Sequence, residues 1–199
     1  MEAFFNTVLF WFPFVLIFPL ITMRSYSEEF RMGTLEPLTT APVRDWQVVM
    51  SKFFGALIFY IVLWAPSFTY FAAFQWITGK QAAVAGGAYW GSYLLLLLIG
   101  MFYISIGCLA SALTKDQINA AVISFSAITL CFFLGLLSFI TNITDHTLRD
   151  ANSYVSAVEH MADFSKGIID SRPIVFYLSL TVLMIFLTHQ VFQYRKWRV

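Results

Sequence analysis

Charge is excluded from five long stretches of this 199-residue chain, and that exclusion limits the folds open to it. Residues 3–23, 53–79, 81–114, 118–144 and 173–194 contain no Asp, Glu, Lys or Arg. A helix crossing the hydrocarbon core of a bilayer needs about 20 mostly apolar residues. Each stretch is long enough. The third opens on a Gly/Ala-rich piece, which moves its expected helix start to Tyr89. The expected spans are therefore 3–23, 53–78, 89–113, 118–141 and 173–193. A polar segment, 24–52, separates the first two, and another, 142–172, precedes the last. The chain reads as an all-α membrane protein with a single transmembrane domain over residues 1–199.

Composition excludes the alternatives. Only 12% of residues are charged, while 59% are hydrophobic and Phe alone occurs 22 times. Soluble domains carry roughly 25% charged residues, and disorder requires low hydrophobicity with high charge. A net charge of +1 provides no basic surface for nucleic acid. The start Met1-Glu2-Ala3-Phe4 lacks the basic n-region of a secretory signal. The first stretch therefore reads as a span.

Basic residues set the orientation by the positive-inside rule. Arg24, Arg31, Arg44, Lys52, Lys115, Arg195, Lys196 and Arg198 fall on one side of five alternating spans, against Lys80, Arg149, Lys166 and Arg172 on the other. The first side, with the C-terminus, is expected to be cytoplasmic. The N-terminus then lies outside with two residues before its span, and a helix missing upstream would account for that.

The spans hold no carboxylate, Lys or Arg that would serve as an ion-coupling relay. His189 sits near a cytoplasmic end and reads as interfacial. No GxxxxGK[ST] loop is present to cradle ATP phosphates. Cys108 and Cys131 fall within spans as packing residues, and no CxxC or metal-ligand spacing occurs. No enzymatic or cofactor site is expected in this chain, so energy for any uphill transport has to come from a partner.

Segment 24–52 carries the most information. Arg24-Ser25-Tyr26-Ser27-Glu28-Glu29-Phe30-Arg31 reads as a charged continuation of the first helix, stopped by Gly33. Thr34 is placed to cap a short new helix from Leu35 to Thr40. Leu35, Leu38 and Pro42 lie near one face of it, and Glu36, Thr39 and Thr40 near another. Asp45 then caps a helix that runs into the second span. An interfacial lipid-binding helix would show a Lys/Arg-rich polar face. The acidic residues here suit docking into a groove on another protein instead.

At these residues the chain resembles a family. Glu28-Glu29-Phe30-Arg31-Met32-Gly33-Thr34-Leu35-Glu36, followed by Ala41-Pro42-Val43, is similar to the inner segment of type-2 ABC exporter permeases, most closely the gliding-motility-type subunits. The stretches 107–117, 159–170 and 195–198 resemble that family's turn between spans, outer segment and basic end. The resemblance implies a multi-pass permease of the cell membrane, paired with a second permease (homodimer or heterodimer) and with cytoplasmic ATPase subunits that bind ATP and Mg. It implies a coupling helix, with Glu28, Glu29, Gly33, Thr34, Leu35, Glu36, Leu38, Pro42 and Val43 forming the ATPase contact. Two features depart from the pattern: Pro37 stands where an apolar residue is usual, and the family has six spans.

Pro13, Pro19 and Pro66 are positions where spans can bend. Gly107 and Ser111, with Gly100 near the same face, permit close helix approach. The outer segment predicts an amphipathic helix over 152–169 with Val155, Val158, Ala162 and Ile169 on its apolar face. Gly167 weakens its last turn, and Asp170-Ser171 begins the last span. Two other functions fit the chain. One is a non-transporting membrane anchor. The other is an exterior-facing enzyme or metal site using His160 and Asp163, with Glu159 and Asp145-His146 nearby.

Overall fold

In the computed structural model, residues 8–34, 43–78, 86–140 and 154–196 are described. They form seven helices: α1 (Val8–Thr22), α2 (Ser27–Met32), α3 (Asp45–Thr78), α4 (Gly86–Leu113), α5 (Gln117–Ile140), α6 (Ala157–Ser165) and α7 (Ser171–Lys196). No strand occurs among the described residues. Water is absent from the bilayer core, so a spanning chain must pair its backbone groups internally, and helices do so. The protein is an all-α membrane protein.

Four helices, α3, α4, α5 and α7, are long and apolar enough to cross a membrane. The expected first span is helical over the 15 residues of α1, and residues 1–7 lie outside the described part. The second span is continuous with a helix that starts at Asp45, as expected, and runs through Pro66 without a break. Helix α4 begins at Gly86, ahead of the expected Tyr89.

Helix α4 is the hub. It packs against each of the other six helices, and 78% of its spanning window is buried. The windows of α3, α5 and α7 are buried by 33%, 28% and 22%, and their free faces are apolar. Phe59 and Val62, Val122 and Phe125, and Val182 and Phe186 point outward, as lipid-facing side chains do. Lipid gives no hydrophobic drive for helix association, so close packing at small residues has to supply it. Helix α4 is built that way. A Cβ at Gly107 would overlap the side chain of Thr22 on α1, and one at Gly100 would overlap the Tyr60 ring on α3. At Gly91, the Phe164 carbonyl oxygen of the outer helix lies 3.1 Å from where a Cβ would be.

Aromatic rings fill the space beside these contacts. Phe18 on α1 lies 5.2 Å from Tyr60 and 5.3 Å from Tyr103 between ring centroids. The Tyr60 hydroxyl crosses to donate to the Leu96 carbonyl at 2.9 Å. Most hydroxyls within the spans bond back to their own helix, as Thr181 does to the Tyr177 carbonyl at 2.7 Å and Thr188 to the Met184 carbonyl at 2.8 Å.

The outer helix α6 is shorter than expected and turned differently. Ser156 caps it by accepting the Glu159 N–H at 3.3 Å. Gly167, at φ 84°, stops it in the left-handed conformation. Its buried face is Ala157, His160, Met161 and Phe164, while Val155 and Ile169 are exposed. The expected apolar face misplaced Val155 and Ile169 because both lie beyond the caps, where helical spacing no longer applies. Asp170 opens α7 by accepting the Arg172 N–H at 3.1 Å.

Replacing Gly107 by Ala is expected to destabilise the bundle by about 1–3 kcal/mol, since Thr22 has little room to move. Gly55→Ala, which meets open space, should change stability by less than about 1 kcal/mol in either direction. Unfolding in mixed detergent micelles measures both, and equal effects would show that the α1–α4 approach is loose.

Candidate functional site at one end of the bundle

The C-termini of α1, α4 and α7 and the first turns of α3 meet at one end, and the short elbow helix α2 is fastened there. Six residues are too few to hold a helix in water or at a membrane surface unaided. Its N-cap residue, Tyr26, supplies no side-chain cap. The cap comes from 85 residues away. The Ser111 hydroxyl on α4 accepts the Tyr26 N–H at 3.0 Å and the Ser27 N–H at 3.1 Å, and donates to the Met23 carbonyl at 3.1 Å. One side chain thus pairs donors that begin α2 and an acceptor that ends α1, groups that helix ends leave orphaned. Ser111 is fully buried.

Two cations close the remaining ends. Lys52 on α3 donates to the Ser25 carbonyl and to the Glu29 carboxylate, the latter at 2.5 Å, and its ammonium stands 5.0 Å from the centroid of the Tyr26 ring. Arg195 on α7 donates to the Thr114 carbonyl at 3.1 Å and to the Leu113 carbonyl, both at the C-terminus of α4. Its guanidinium lies 4.7 Å from the centroid of the Phe30 ring. Cations at helix C-termini meet the negative end of the helix dipole. Tyr26 is buried between these groups and packs edge-on against Phe192 at 6.1 Å. Burial pushes its phenol above the ordinary range, and Cys108 and the Glu29 carboxylate add to the shift.

The expected contact residues divide as follows. Glu28 and Glu29 occupy the first turn of α2, where carboxylates favour the helix dipole. Gly33 ends the helix at φ 68°, in the left-handed region a side chain would strain. Thr34 and Val43 are exposed. Leu35, Glu36, Leu38 and Pro42, with Pro37 and the expected short helix, lie outside the described residues. Glu29 is turned partly inward to Lys52, with its side chain 32% exposed, so it holds the elbow as well as presenting charge.

Sequence reasoning passed over the residues that do the fastening. Ser111 entered as a small packing residue and within the stretch 107–117, Arg195 as a positive charge in the basic end, and Lys52 as a positive charge on the same side. A lysine at the very edge of an apolar run, directly before Phe53, was the available signal for Lys52. Nothing local distinguishes Ser111 from the other serines of α4.

The opposite end holds a polar cavity of about 390 Å³ lined by Tyr154, Glu159, His160, Asp163, Arg172 and Pro173 among others. His160 faces inward, with Nδ1 3.2 Å from the Tyr177 hydroxyl, while Asp163 is exposed. Among the described residues no three His, Cys, Asp or Glu side chains come together as metal ligands. Asp145 and His146 lie outside that part.

Ser111→Ala would strip the cap from α2 and cost about 1–3 kcal/mol, the penalty for orphaning buried backbone groups. Ser105, equally buried, bonds only to the Phe102 carbonyl of its own helix. Ser105→Ala should therefore cost less than about 1 kcal/mol. Paired unfolding curves in detergent decide it, and equal losses would mean that the shared hydroxyl has no special weight.

No curated protein and no solved structure matches this chain. A protein-family model does: that described as ABC-2 family transporter protein matches residues 1–158, which include the elbow, its fastening by Lys52 and Ser111, and the hub helix. The chain belongs to the ABC-2 family of transporter proteins and is a multi-pass membrane protein.

Proposed function

We propose that this chain is the permease subunit of an ATP-driven exporter of the gliding-motility type. It works with a second permease subunit, which is another copy or a relative, and with cytoplasmic ATPase subunits that bind ATP and Mg and carry out hydrolysis. Membership of the ABC-2 family is the observation that carries this reading. The pattern Glu28-Glu29-Phe30-Arg31-Met32-Gly33-Thr34-Leu35-Glu36 supplies the contact. The acidic residues Glu28, Glu29 and Glu36 with Gly33, Thr34, Leu35, Leu38, Pro42 and Val43 meet the ATPase. Closure of the ATPase dimer pushes the segment between Gly33 and Val43, and the spans alternate their access in response.

The charge distribution supports placing that segment and the C-terminus in the cytoplasm. Arg24, Arg31, Lys52, Lys115 and Arg195 all gather at the elbow end, while the polar cavity with Asp163 and Asp170 occupies the other. In the anchor reading the same subunit would hold surface machinery without turnover.

The test is affinity capture in mild detergent from native membranes. The tagged chain is expected to bring down an ATPase subunit, and Glu36→Lys should weaken that capture roughly tenfold through charge reversal at the contact. Absence of any ATPase with the intact chain would remove the permease reading. Equal capture by both would move the contact away from Glu36.

A further inference from the structure

The coupling segment can act as a lever only if its base is tied to the spans, and Ser111 and Lys52 are the ties. Glu29 precedes residues 35–42 in sequence and Lys52 follows them. Their ion pair therefore staples the two ends of the coupling segment together at its root. Lys52 also holds the Ser25 carbonyl, and Ser111 holds Met23, Tyr26 and Ser27. Every bond named here joins the elbow to α3 or to α4. Helix α4 packs on all the other helices, and at Gly107 it is locked against Thr22, one residue before the elbow begins.

A displacement of α2 therefore has two outcomes. It breaks a buried hydroxyl's three hydrogen bonds and an ion pair at once, or it carries α3 and α4 with it. Close-packed helices switch between discrete arrangements and do not deform gradually. The second outcome is the one this packing favours. We propose that Ser111 and Lys52 are positioning residues that hand displacement of the coupling segment to the hub helix and the second span, without themselves touching the ATPase. This rests on the permease reading above.

The experiment uses the whole complex, purified with its ATPase and placed in nanodiscs. Cys108 and Cys131 are replaced by Ala. Nitroxides are placed at Trp76 on α3 and Val175 on α7, both exposed and both at the end opposite the elbow. The distance between them is measured by pulsed electron resonance, without nucleotide and then with ATP and vanadate. In the otherwise unchanged chain, trapping should shift that distance. Lys52→Met and Ser111→Ala should capture the ATPase within about twofold of the parent, a difference under 1 kcal/mol. Both should lose at least half of the shift. Lys52→Arg, which keeps the ion pair, should retain it.

A full shift in both variants would overturn the proposal. Loss of ATPase capture in either would also overturn it, because the residue would then merely hold the docking surface in shape. So would a parent complex whose far end does not move on trapping. If Ser111→Ala yields no folded protein, the contrast of Lys52→Met with Lys52→Arg decides alone. A parent chain that captures no ATPase is a different failure, that of the permease reading itself.

Discussion

A helix that ends at a membrane boundary leaves N–H and C=O groups that neither water nor lipid fully satisfies. Much of this molecule's architecture answers that constraint at one end. The end of α1, the start of α2 and the end of α4 are paired by side chains from distant parts of the chain: Ser111 for the first two and Arg195 for the third. Each such bond settles a local deficit and fixes one helix against another. Local satisfaction and tertiary arrangement are here the same set of interactions.

The hub position of α4 follows from a second constraint. Helices in lipid attract one another mainly through close contact, so the helix with the most small residues gathers the rest. Gly91, Gly100, Gly107 and Ser111 bring α6, α3, α1 and α2 respectively onto α4. The large apolar residues of α3, α5 and α7 then remain outward, where they meet lipid without penalty. A permease needs helices that can move against one another, and a single close-packed core helix with loosely buried neighbours provides it. Lys52 and Glu29 place a partly buried ion pair where that core meets the polar end. A single pair of this kind is weak evidence for stability. Its place matters more, since it ties the elbow helix α2 to α3.

Much of the fold was legible. Four of the charge-free runs lie in helices long and apolar enough to cross a membrane, because desolvating a charge in hydrocarbon is costly enough to exclude it. Gly33 announced a helix end and takes it at positive φ, while Gly167, expected only to weaken a last turn, stops its helix in the same conformation. Gly107 signalled a close approach, and Thr22 makes it. The outer helix was less legible. Helical spacing placed Val155 and Ile169 with the apolar face, but Ser156 and Gly167 cut the helix to nine residues and left His160, Met161 and Phe164 inward. Spacing cannot see where caps will form when several cap residues compete.

By itself the sequence determined that the chain is helical and membrane-embedded, that basic residues collect at one end, and that a polar segment, 24–52, separates its first two apolar stretches. These are consequences of transfer energies and local backbone preferences, which act residue by residue. Only the tertiary structure decided that Ser111, Lys52 and Arg195 fasten the elbow. Hydrogen bonds across 85 positions depend on which helix ends are brought together. That is settled by packing of the whole bundle, and it leaves no periodic trace in the chain.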